Sequence, residues 1–125
     1  MSSDMKAAIE KRFQELVTLY NAGDFTTMVT KCYTPDCKTL SPGKEVEIGH
    51  QLLISACESL VKTGLKSYKV QSLDIEGSPD GGMVYSIARN QTFKDDGTEG
   101  LFYNEAIIWK KIDGAYYAHV DIWNS

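Results

Sequence analysis

The segment "AYYAHVDIWN" near the C-terminus places His119 and Asp121 two residues apart. On a strand, that spacing puts both side chains on one face. An imidazole beside a carboxylate can act as general acid and base near neutral pH, so the pair suits cofactor-independent isomerisation, cyclisation or elimination on a small carbonyl compound. Tyr117 and Trp123 share this face, which is therefore polar and aromatic, while Tyr116, Ala118, Val120 and Ile122 opposite are almost wholly apolar and make the better core. If the apolar face covers the core, His119 and Asp121 point outward with Tyr117 and Trp123. Aromatic residues with few charges are also what protein interfaces prefer, so the reading set first makes Tyr117 and Trp123 interface residues. The catalytic pair is the second.

Asp36, in "YTPDCKTLSPG", follows a Pro-containing turn, where aspartate commonly accepts local backbone N–H groups, and it is read as a turn residue. Arg89 in "IARNQTF" and Glu105 in "FYNEAII" sit on apolar strands that rarely bury a charge without a partner. Facing each other across a hairpin they would form an ion pair; alternatively, Arg89 would hold the carboxylate of a ligand. Tyr20, Tyr33, Tyr85 and Tyr103 are candidate ligand-binding residues, and Tyr68 has the same character, although aromatics at regular spacing also build cores. Cys32, Cys37 and Cys57 show no CxxC spacing, and only two histidines are present to complete a metal site. They are read as buried free thiols, with no metal and no cofactor.

The elements that must carry these residues follow from periodicity. Ser3 or Asp4 can cap a helix with Ile9, Phe13, Leu16, Val17 and Tyr20 on one face. Asn21-Ala22-Gly23 supplies a corner, and Asp24 caps a short second helix. Pro35 and Pro42 bracket an extended "DCKTLS". A third helix, from about His50 to Thr63, ends at Gly64. From Lys66 the period becomes two, with a change of phase that places a bulge near Gln71-Ser72. Asp80-Gly81, Asp96-Gly97 and Asp113-Gly114 separate four strands at roughly 66–77, 82–94, 100–112 and 116–124.

At 125 residues the chain suits one domain, residues 1–125. Three helices followed by a curved antiparallel sheet make an α+β fold, and a sheet bent around helices encloses a cavity. A net charge of −4 without a Lys/Arg stripe argues against nucleic acid as a partner. The charged N-terminal stretch has neither a secretory signal nor a membrane span, so a cytoplasmic location is expected, and the Asn90-Gln91-Thr92 sequon is disregarded.

The segments "RFQELVTLYNAGDF", "YTPDC", "PG…EIGH" and "WKKIDGAYYAHVDIWNS" resemble the SnoaL-like branch of the nuclear transport factor 2-like superfamily over nearly the whole chain. The resemblance implies a cone-shaped, cystatin-like curved sheet around three N-terminal helices, dimerising through its outer face, with a pocket inside. Members include isomerases, cyclases, dehydratases, hydrolases, transport adaptors and scaffolds, so the fold does not choose among them. Transferring the ketosteroid isomerase pattern puts its oxyanion tyrosine at Leu16, its base at Ser41 and its second carboxyl near Ala106, with Glu105 adjacent but expected on the opposite face. All three stations are thus unfilled. The function expected is a homodimer with a small apolar pocket that binds a hydrophobic small molecule or a protein partner, the alternative being the acid–base enzyme working through His119 and Asp121. A transport or scaffold adaptor comes third.

Overall fold

The computed structural model describes residues 2–124. Its elements are α1 (Ser2–Asn21), α2 (Phe25–Cys32), β1 (Tyr33–Leu40), β2 (Glu47–Ile48), α3 (His50–Lys62), β3 (Leu65–Gly77), β4 (Met83–Lys94), β5 (Glu99–Ile112) and β6 (Ala115–Asn124). Helix α1 already begins at Ser2, so Ser3 and Asp4 lie within its first turn rather than capping it. The corner forms as its residues dictate: Gly23 takes φ +75°, and the Asp24 carboxylate accepts the Thr27 backbone N–H at 3.3 Å to start α2.

The strands form one curved, open sheet in the order β2-β1-β6-β5-β4-β3, with the helices on its concave face. All ladders are antiparallel except that between β1 and β6, which is parallel and shifts register between Tyr33 and Lys38 where Pro35 interrupts pairing. Of the three Asp-Gly turns, only Asp113-Gly114 has positive φ at both residues, 50° and 83°, and makes a two-residue connection. The other two loops are longer and use only their glycines in that region. The β3 bulge falls at Leu73, between the paired residues Ser72 and Asp74.

The core lies between α1, α2 and the middle of the sheet. Phe13 meets Trp109 edge-on with ring centroids 5.6 Å apart, and the Trp109 indole N–H donates to Ser86 Oγ at 2.9 Å, so this large buried ring leaves no polar atom unsatisfied. Between the helices and the strands lies a hollow lined by residues of both.

Candidate functional site

The register shift between β5 and β6 decides what faces this hollow. Along β5–β6, Ile108 pairs with Val120 but Trp109 pairs with Ala118, so His119 is an extra residue on β6. A bulge of one residue reverses the faces beyond it. Tyr116 and Ala118 are buried beneath the helices as expected; after the bulge, Asp121 is buried and Trp123 lines the hollow, while Ile122 turns outward. His119 and Asp121 therefore part. His119 sits at the outer edge, with Nδ1 2.8 Å from Thr34 Oγ1 and 3.8 Å from Asp36 Oδ1; partial burial and the nearby Lys110 charge lower its pKa. Asp36, expected at a turn, instead lies within β1, its side chain 72% exposed.

The hollow is a cavity of about 420 Å³ walled by Leu16, Met28, Leu53, Leu101, several tyrosines and Trp123. That volume suits a compact organic ligand. In its wall stand two carboxyl groups, Asp121 from β6 and Glu105 from β5. Tyr33 donates its hydroxyl to Asp121 Oδ2 at 2.9 Å, and Asn90 donates Nδ2–H to Glu105 Oε1 at 2.8 Å. Asp121 Oδ1 is buried with no conventional donor among the described residues, while Glu105 lies within hydrogen-bonding reach of Asp121. A single proton held on Glu105 would give Asp121 a donor and leave one negative charge on the pair. Burial, followed by the charge of Asp121, accordingly holds Glu105 well above the usual carboxylate range; burial also raises Asp121, opposed by the hydrogen bonds from Glu105 and Tyr33.

The phenols around the pair stay protonated. Burial first, and the nearby carboxyl pair next, push Tyr33, Tyr68 and Tyr103 well above their ordinary value. Tyr20 is pushed up to about 12, chiefly by burial, and donates to the Leu65 carbonyl at 3.2 Å. Cys57, also on the wall, is raised to about 12 by burial and so is a protonated thiol rather than a nucleophile. No group of three or more His, Cys, Asp or Glu among the described residues is arranged to hold a metal ion.

Several sequence expectations shift accordingly. Tyr20, Tyr33 and Tyr103 line the cavity together with Tyr68. Tyr85 does not: it is 42% exposed on the outer face, donating to Asp74. Arg89 is exposed and pairs in register with Asn104, so neither the Arg89–Glu105 ion pair nor an anion site inside the cavity forms. Tyr117 lies beneath the Arg12 guanidinium at 5.1 Å, and Trp123, expected on the outward face, donates its indole N–H to Ser41 Oγ inside. The expectation that titratable groups are missing from the interior fails at Glu105. Its phase was legible: Glu105, Ile107 and Trp109 alternate on one face, and burying the tryptophan carries the glutamate inward.

No family model and no curated protein matches the sequence. Solved structures do match. A nuclear transport factor 2-like protein of unknown function from Shewanella oneidensis aligns over 100% of both chains at 16% identity and a TM-score of 0.80. A ketosteroid isomerase-like protein from Erwinia carotovora covers 94% of this chain and 92% of its own at 16% identity and a TM-score of 0.76. A protein from Catenulispora acidiphila in complex with S-DNPA covers 97% and 92% at 15% identity and a TM-score of 0.77. At such identities the likeness is one of architecture, and the architecture of this chain is the nuclear transport factor 2-like fold.

Proposed function

We propose that the chain is a cofactor-independent acid–base enzyme acting on a small hydrophobic carbonyl compound, with Asp121 as the base. The observation that carries this is a pair of neighbouring carboxyl groups, Glu105 and Asp121, in the wall of an apolar cavity, both raised by burial and Glu105 further by the charge of Asp121, an arrangement that sets one up as an acid and the other as a base. Asp121 takes a proton from the carbon beside the carbonyl and returns it at another carbon of the same molecule, so the reaction balances without an external oxidant or reductant. Tyr33 and Glu105 hold the carboxylate in place, and the hydroxyls of Tyr68 and Tyr103 donate to the oxygen on which charge develops. Binding without chemistry, the function first expected, rested on empty proton-transfer stations, and Glu105 and Asp121 remove that ground.

The protein works in the cytosol, consistent with three buried free cysteines, and as a homodimer joined through the outer face of the sheet. Tyr85, Phe102 and Ile122 are 42%, 45% and 38% exposed there, and covering them against a second copy would take their apolar surface from water. Light scattering on the eluting protein should give twice 13.9 kDa; a monomer at all concentrations removes the dimer.

The catalytic proposal is tested by deuterium exchange at the carbon positions beside the carbonyl of 2-tetralone, followed by NMR. The intact chain should accelerate exchange over buffer, Asp121→Asn should lose about 10²-fold or more, and His119→Ala should leave the rate unchanged. No acceleration by the intact chain, or loss of exchange in His119→Ala with retention in Asp121→Asn, overturns the assignment.

A further inference from the structure

The charge inside the cavity narrows the ligand class. On the acid–base reading Glu105 and Asp121 together hold one negative charge, and the hydrogen bonds they receive come from Tyr33 and Asn90, neither of which is a cation. Among the described residues lining the cavity, the cation is Lys44, with a side chain 58% exposed at the mouth and 3.9 Å from Glu47. The net charge seen by a ligand deep inside is therefore negative. Around it stand Tyr20, Tyr68, Tyr103 and Trp123, with Tyr20 against Tyr68 at 5.1 Å and Tyr103 against Trp123 at 5.2 Å between ring centroids, both pairs edge-on. Such pairs turn ring faces in different directions around a shared space, and ring faces attract cations. A buried anion without a cationic partner is itself costly, so a ligand that supplies the missing positive charge gains more than its apolar area alone gives.

We infer that the cavity selects a hydrophobic cation: a carbonyl compound whose ring system carries a protonated amine or iminium nitrogen. The inference rests on the acid–base reading above and adds the substrate class to it. Positive nitrogen near the reacting carbon also acidifies its C–H. Asp121 then removes the proton to leave an intermediate of one less positive charge, before returning it at another carbon, which reduces the oxyanion stabilisation required from the tyrosines.

Calorimetric titration of the full chain at neutral pH with three matched compounds tests this: 2-naphthylmethylamine as the cation, 2-naphthalenemethanol as the neutral isostere and 2-naphthoate as the anion. The ammonium should bind about tenfold or more tighter than the alcohol, with the carboxylate weakest. In Asp121→Asn, which leaves Glu105 neutral and the pair uncharged, the ammonium advantage should vanish while alcohol binding persists; Glu105→Gln keeps the charge on Asp121 and should keep the advantage. Equal binding of ammonium and alcohol by the unaltered chain, preference for naphthoate, an advantage that survives in Asp121→Asn, or no binding of any of the three overturns the inference. The comparison within the unaltered chain stands even if Asp121→Asn does not fold. Exchange of 2-tetralone without cation preference would sink the substrate class alone, and cation preference without exchange would sink the acid–base reading alone.

Discussion

If Glu105 holds its proton in the folded state, replacing it with glutamine should stabilise the protein, and by an amount that grows with pH. In Glu105→Gln the amide fits the same bonds: its Oε1 accepts from Asn90 Nδ2, and its Nε2–H takes the place of the carboxyl proton on Asp121 Oδ1. In the unfolded chain Glu105 ionises around its ordinary value of 4.5, whereas in the fold burial and the charge of Asp121 hold it well above that. Its contribution is thus fully present below pH 4.5 and is lost as pH rises through the folded pKa, because over that window the native state binds a proton that the unfolded state releases. The slope is at most about 1.4 kcal/mol per pH unit. Between pH 5.5 and 7.5, Glu105→Gln should therefore gain up to about 2.7 kcal/mol on the unaltered protein, or roughly 10 °C in Tm for a domain of this size. This is a ceiling, since Glu105 stands in the wall of a cavity that solvent can enter, which softens the desolvation. Urea denaturation of both proteins from pH 4.5 to 8.5 measures it. Two curves separated by a constant offset at every pH would show that Glu105 ionises alike in folded and unfolded chains, and the proton shared with Asp121 would then be wrong.

Tyr33→Phe removes the donor to Asp121 Oδ2 and leaves a buried carboxylate oxygen bare, which should cost about 1–3 kcal/mol by denaturation at pH 7; a loss below a few tenths would place water, not Tyr33, at that oxygen. Gly100→Ala sets a new Cβ 2.6 Å from Leu65 Cδ2 and 2.9 Å from Thr92 Oγ1, so Leu65 must move and the bond from Thr92 Oγ1 to the Leu101 carbonyl is strained. About 1–2 kcal/mol of destabilisation is expected, together with weaker ligand binding because Leu65, Thr92 and Leu101 all line the cavity; unchanged stability and binding would contradict both. Phe102→Lys on the outer face should convert the dimer to a monomer on light scattering without changing cavity binding, and a dimer that persists would place the contact elsewhere.

The order of elements was legible because its signals are local: a capping aspartate at Asp24, a left-handed glycine at Gly23, alternation between Asp-Gly turns. The bulge in β3 was legible for a related reason, since Tyr68 and Val70 change phase with Leu73 and Ile75, and an apolar set cannot lie on both faces without an inserted residue. On β6 the same device is hidden. Val120 and Ile122 continue the apolar alternation of Tyr116 and Ala118 across His119, so an uninterrupted strand satisfies the pattern and assigns Asp121 and Trp123 to the outside. Two demands reverse that assignment, and both are non-local. Trp109 must be buried against Phe13 and Ser86, which fixes the inward face of β5 and with it Glu105. A protonated Glu105 then needs an acceptor on the neighbouring strand, and Asp121 supplies one only if β6 slips by a residue at His119. The apolar residues that misled the strand pattern, Val120 and Ile122, follow the bulge on the outer face, so both faces of β6 are apolar in part for different reasons. Removing Val120 and Ile122 from the outer face should leave the bulge intact, whereas truncating Glu105 or Asp121 to alanine takes away the carboxyl contact between β5 and β6 beyond His119.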